Sequence, residues 1–121
     1  MSTQEQKVAE LLKKNGKTLA LAESCTGGLV SRRVTDVPGI SESYKGGVVA
    51  YSNEIKSSIL NVPSDLLDTY GAVSPEVAGA MAEGAKNAFS ADITASITGI
   101  AGPGGGTPEK SVGLAYMAVQ T

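Results

Sequence analysis

The 121 residues suit a single domain, and 41% hydrophobic with 18% charged residues supplies enough apolar material for a packed core. Ten basic and twelve acidic residues leave a net charge of −2, which excludes a strongly basic nucleic-acid binder, and an aromatic fraction of 4% excludes base-stacking platforms. Histidine is absent, so Ser-His-Asp catalysis, Cys-His catalysis and ordinary zinc sites are excluded too. The single cysteine, Cys25, cannot close an internal disulfide and suits a reducing cytoplasm. Residues Met1 to Lys7 are polar and do not read as a signal peptide. No apolar run reaches about 18 residues, so no membrane partner is expected.

A first helix is expected from Gln4 to Lys14, where Val8, Leu11 and Leu12 recur at helical spacing and Asn15-Gly16 supplies a stop. Thr18 to Ala22 reads as a buried strand that ends at Glu23-Ser24-Cys25-Thr26-Gly27-Gly28. Leu29 to Val34 reads as a short helix, closed by Asp36-Val37-Pro38-Gly39. Gly47 to Ser52 reads as a second strand, after which Asn53 caps a helix reaching about Leu60. Asn61-Val62-Pro63 breaks that helix, and Ser64 to Thr69 forms another. Ser74-Pro75-Glu76 opens an Ala-rich helix to about Phe89, with Ser as cap and Pro at the first helical position. Its alanines suit close packing and carry no chemistry. Strands follow at Asp92 to Thr98 and Val112 to Val119, separated by the glycine-rich run Gly99 to Thr107. Alternating strands and helices imply an α/β sheet covered on both faces. Ligands bind such sheets beyond the strand carboxyl ends, so the junctions after Ala22, Tyr51 and Thr98 are expected to converge.

Each junction allows a chemical and a plain reading. Helix-start amides after Ser24 could hold a phosphate or an oxyanion, with Ser24 or Cys25 as nucleophile, or Ser24 or Thr26 could simply cap the helix. A serine nucleophile needs a base, and without histidine a Lys, Tyr, Asp or Glu must serve, with Lys56 and Tyr51 placed near the second junction; the plain alternative for Lys56 is a surface lysine. Tyr51 to Lys56 is one residue longer than the spacing of short-chain dehydrogenases, and Ser52-x-x-x-Lys56 is not the S-x-x-K of penicillin-recognising enzymes. The Gly99 to Gly106 loop lacks the Lys-Ser/Thr of a Walker A sequence, and Thr107 stands where G-x-G-x-x-G needs its last glycine. It could still cradle one phosphate or be a flexible connection, with Glu109 and Lys110 beside it.

Four segments in order are more specific than any one: Ala22-Glu23-Ser24-Cys25-Thr26-Gly27-Gly28, Tyr51-Ser52-Asn53-Glu54-x-Lys56, Gly71-Ala72-Val73-Ser74 and Gly99-Ile100-Ala101-Gly102-Pro103. Together they resemble the C-terminal domain of the competence/damage-inducible CinA family, which also occurs alone as nicotinamide-nucleotide amidase. The resemblance runs from about Val8 to Val119. It implies a single three-layer α/β/α domain over residues 1–121, with a mixed sheet. It also implies hydrolysis of nicotinamide mononucleotide to nicotinate mononucleotide and ammonia, with no cofactor and no metal. By position, Ser24 matches the nucleophile, Lys56 the general base and Tyr51 a residue beside that pair. Thr26, Gly27 and Gly28 would hold the oxyanion or the substrate, and Thr98, Gly99 and Gly102 match a second substrate loop. A small nucleotide is the implied partner, and the family forms homo-oligomers. Family members continue past the strand ending near Val119 with a Gly-Asp-Arg strand and a helix. The last strand here is therefore expected to show an open edge and one wet face. The alternatives are a catalytically impaired nucleotide-binding module and an interaction module using that edge.

Overall fold

The computed structural model describes residues 2–121. Helix α1 (Gln4–Asn15) starts with a reciprocal cap between Thr3 and Gln6 and ends at Gly16 in the left-handed region. It leads into β1 (Leu19–Glu23), whose five residues are all buried. Next come α2 (Leu29–Thr35), a 3₁₀ turn at Ile40–Glu42 and β2 (Tyr44–Val49). Helices α3 (Asn53–Leu60), α4 (Ser64–Tyr70) and α5 (Pro75–Phe89) follow, then β3 (Ile93–Gly99) and β4 (Ala115–Gln120).

The sheet order is β2-β1-β3-β4. β1 runs parallel to both β2 and β3, and β4 is antiparallel to β3. The fold is a mixed-sheet α/β/α sandwich. On one face, Ala22 packs with Leu60, Val62, Leu67, Val77, Met81 and Ala85 of α3 to α5. On the other, Leu19 and Leu21 pack with Leu12 of α1 and Val34 of α2. Two strands depart most from expectation. β2 starts at Tyr44 rather than Gly47 and ends before Ala50, because Leu19 to Glu23 of β1 pair with Tyr44 to Val49. The chain then leaves the sheet so that Ser52, not Asn53, caps α3 by accepting from the Ile55 amide. β4 starts at Ala115 rather than Val112, whose side chain instead fills the space beside Gly102 and Gly106.

Two devices hold α5 against the sheet. Thr94, Ser96 and Thr98 alternate onto the α5 face of β3, and their hydroxyls donate to the carbonyls of Ala82, Ala78 and Ala72. Between the first two pairs, two strand residues advance about 6.6 Å and four helical residues about 6 Å, so donor and acceptor keep pace, while Ala72 lies in the segment ahead of α5. Gly84 provides the second device: a Cβ there would collide with the Leu60 carbonyl oxygen, so α5 meets the end of α3 backbone to backbone. The layer is incomplete beside β4. Tyr116 and Ala118 are half-buried toward α5, whereas Met117 and Val119, on the α1/α2 side, are 75% and 68% exposed.

Candidate active site

The alternation of β1 splits its last residues between two faces. Glu23 follows Leu19 and Leu21 toward α2, and Ser24 follows Ala20 and Ala22 toward α3. Ser24 stays tied to the sheet through its amide, which donates to the Ile97 carbonyl. From α3, Lys56 reaches inward, and only 1% of its surface is exposed. Its Nζ lies 3.0 Å from Ser24 Oγ and 2.8 Å from the Tyr51 carbonyl oxygen. Burial pushes the Lys56 pKa below the ordinary lysine range, and the neighbouring Cys25 thiol partly counteracts this.

That pairing gives Lys56 a defined orientation. A carbonyl oxygen can only accept, so Tyr51 fixes one N–H of the amine. When Lys56 is neutral, its lone pair is left for the Ser24 hydroxyl. Tyr51 therefore touches Lys56 through its backbone. Its phenol is on a side chain 75% exposed and makes no hydrogen bond among the described residues.

The three junctions meet at a cleft of about 340 Å³. Ser24, Cys25, Tyr51 and Lys56 line it together with Ala72, Val73, Thr98, residues 99–102, Gly104 and Gly105. The hydroxyl of Thr98 is spent on the Ala72 carbonyl, which ties the end of β3 to the segment before α5. Gly99 is needed for close approach to β4, since a Cβ would sit 2.7 Å from the Leu114 carbonyl oxygen. Gly102 has φ +81° and leaves no room for a Cβ beside Val112. Lys110 lies outside the cleft and donates to the Tyr70 carbonyl at the end of α4, while Glu109 is exposed.

Thr26, Gly27 and Gly28 are the expected oxyanion or substrate residues, and the structure gives the Thr26 hydroxyl and the Gly27 and Gly28 amides internal partners. None of them lines the cleft. The Thr26 hydroxyl and the Gly28 amide both donate to Glu23 Oε1, and the Gly27 amide donates to the Ser24 carbonyl. Gly27 and Gly28 serve the turn itself, with φ of +60° and +104°. The start of α2 is thus filled by an internal carboxylate rather than open to an external anion. Among the described residues, the amides of Cys25 and Thr26 are the ones in this turn without an intramolecular partner. Glu23 is the residue that sequence reasoning missed. A carboxylate at the end of an apolar strand, just before a turn with two glycines, was the available signal.

The family model of the CinA C-terminal domain matches residues 1–121. This chain belongs to the CinA family. A CinA-like protein of Desulfotalea psychrophila is 55% identical over 119 residues, covering 98% of this chain and 29% of that protein. A CinA-like protein of Geotalea uraniireducens is 57% identical over 112 residues, covering 93% and 27%. This chain thus spans under a third of the length of these curated relatives. Its fold superimposes on the competence/damage inducible protein CihA from Agrobacterium tumefaciens with a TM-score of 0.94 at 40% identity, covering 96% of this chain and 70% of that one. The competence damage-inducible protein A (ComA) from Klebsiella pneumoniae gives a TM-score of 0.92 at 33% identity, with 95% and 71% covered.

Proposed function

We propose that this CinA-family chain is an amidohydrolase that converts nicotinamide mononucleotide to nicotinate mononucleotide and ammonia. The observation that carries the reading is the buried Lys56 amine 3.0 Å from the Ser24 hydroxyl, at the edge of an open cleft. A lysine whose pKa is lowered by burial is a competent base for serine, and this pair replaces the histidine that the sequence lacks.

In the proposed mechanism, Ser24 Oγ attacks the carboxamide carbon as Lys56 Nζ takes the hydroxyl proton. The pyridinium ring withdraws electrons and makes that carbon more electrophilic. The amide of Cys25, which lines the cleft and is free of internal partners, is assigned to the oxyanion. Lys56 returns the proton to the leaving nitrogen, the C–N bond breaks and ammonia departs. Water then attacks the ester, giving its proton to Lys56. The C–O bond to Ser24 breaks, and Oγ recovers that proton. Tyr51 holds the amine through its carbonyl, and its exposed ring offers a wall for the substrate. Thr98, Gly99 and Gly102 line the same cleft. We place the reaction in the cytoplasm, where the nucleotide is available, and assign the homo-oligomeric state of the family to this chain.

A second reading, a nucleotide-binding module without turnover, is favoured by one observation. Lys56 is the only charged side chain among the described residues that line the cleft, so a phosphate there would meet mainly backbone amides of the glycine run. Ammonia release separates the two. Stoichiometric nicotinate mononucleotide and ammonia support hydrolysis; saturable binding without ammonia supports the module.

A further inference from the structure

Glu23 is a buried charge with no cationic partner among the described residues, and 1% of its surface is exposed. Oε1 accepts from Thr26 Oγ1 at 2.6 Å and from the amides of Gly28 and Val30 at 3.2 and 3.0 Å. Oε2 accepts from the Ser31 amide at 2.9 Å and from Ser31 Oγ at 2.6 Å. Tyr44 on β2 in turn donates to Ser31 Oγ at 2.8 Å. Burial raises the Glu23 pKa, but the bonds from Ser31, Thr26 and Val30 more than offset it, so the carboxylate stays ionised. Space is reserved for this network as well. A Cβ on Gly47 would lie 2.8 Å from the Tyr44 hydroxyl and 3.0 Å from Ser31 Oγ.

An ordinary helix cap would not need this arrangement. A Ser or Asp at the N-cap position satisfies the first amides from the surface. Here the N-cap is Gly28, which has no side chain, and the acceptor comes from the preceding strand. The carboxylate therefore spans the turn from residue 23 to residue 31. The stretch it braces is the one that carries Ser24 and the two unpartnered amides.

We infer that Glu23 is a positioning residue, whose buried carboxylate sets the Ser24–Gly28 turn so that the Ser24 hydroxyl and the Cys25 amide are held ready in the cleft. The inference rests on the amide-hydrolysis reading above. It goes beyond that reading by assigning the alignment of the turn to a residue that touches no substrate.

The test compares wild-type protein with Glu23→Gln, which keeps the size of the side chain but replaces one acceptor oxygen with a donor. With nicotinamide mononucleotide as substrate, kcat falls roughly thirtyfold to several hundredfold while KM changes by less than about threefold, because the lost contact acts in the transition state. Ser31→Ala, a milder change, gives an intermediate loss of kcat. It also covers the case in which Glu23→Gln does not fold. Hydrogen exchange is read on the same samples: the Gly28, Val30 and Ser31 amides lose protection in Glu23→Gln, while β3 and α5 keep theirs. Wild-type kcat in folded Glu23→Gln, or a loss that matches only its unfolded fraction, overturns the inference. Absence of ammonia from the wild type overturns the amidase reading. Exchange then decides the positioning claim by itself: unchanged protection at residues 28 to 31 overturns it.

Discussion

The Lys56 amine and the Ser24 hydroxyl meet at 3.0 Å although 32 positions separate them in the chain. The distance is set by the parallel β1–β2 pair and by α3, which turns back over the sheet from Ser52. Ser24→Ala removes the proposed nucleophile and leaves the turn hydrogen bonds untouched. Ammonia release from nicotinamide mononucleotide is expected to fall by roughly a thousandfold or more, with an unchanged circular dichroism spectrum. Activity near the wild-type level would move the nucleophile to Cys25 or to water.

Lys56 links activity to pH. Only the neutral amine can take the serine proton, so kcat/KM is expected to rise with pH, with its midpoint below the ordinary lysine value. The stability effect has the same sign. Between the lowered folded value and the ordinary one, the unfolded chain holds more protons, so stability rises with pH through that window. Lys56→Met is expected to abolish hydrolysis, to keep or raise the melting temperature at neutral pH and to flatten this part of the stability profile. Melts of both proteins across pH check it. A marked loss of stability in Lys56→Met at neutral pH would show that the hydrogen bonds to Ser24 and Tyr51 outweigh the cost of burying the amine.

Gly84→Ala tests the contact between α5 and α3. Helix propensity alone favours alanine by about 1 kcal/mol. The added methyl, however, would run into the Leu60 carbonyl oxygen, and backbone cannot step aside as a flexible side chain can. A net destabilisation of about 1–3 kcal/mol is expected from urea titration. A more stable variant would mean that the two helices separate at little cost.

The wet face of β4 gives a fourth prediction. Met117 and Val119 are 75% and 68% exposed, and Val119, Met117, Val30 and Ala95 line one apolar hollow. Met117→Lys is expected to reduce binding of a fluorescent apolar dye such as anilinonaphthalene sulfonate, with stability changed by no more than about 0.5 kcal/mol. Unchanged dye binding would place the dye elsewhere, for example in the hollow between Val8, Leu11 and Ile93.

Local signals carried most of the fold. The caps at Ser74 and Gly16 and the breaks around Pro63 and Pro38 set element ends within a residue or two. Where expectation slipped, pairing had decided: β2 begins at Tyr44 because Leu19 needs a partner, which no reading of residues 44 to 52 alone contains. The residues of the cleft were readable because Ser24 and the glycine run lie at strand ends and Lys56 sits in the first turn of the helix that follows β2. Glu23 was not, since its partners at 26, 28, 30, 31 and, through Ser31, 44 are known only once the chain is folded. The positive φ of Gly27 and Gly28 serves the path of the chain, a need that the sequence of the turn shares with a ligand-holding role.

The hydroxyl series on β3 limits how the cleft can open. Thr94 and Ser96 engage Ala82 and Ala78 of α5 as teeth engage a rack, so α5 cannot translate along its axis without releasing both clips, and Thr98 holds Ala72 just ahead of the helix. The Ala72–Val73 part of the wall is pinned to the end of β3 by the Thr98 hydroxyl. The rim between Ile100 and Leu114 is held to itself by the Ile100–Leu114 and Gly113–Ile100 backbone bonds and to α4 by Lys110. Both borders of the cleft are thus clasped by bonds that do not involve Ser24 or Lys56, so a guest must fit the space as built.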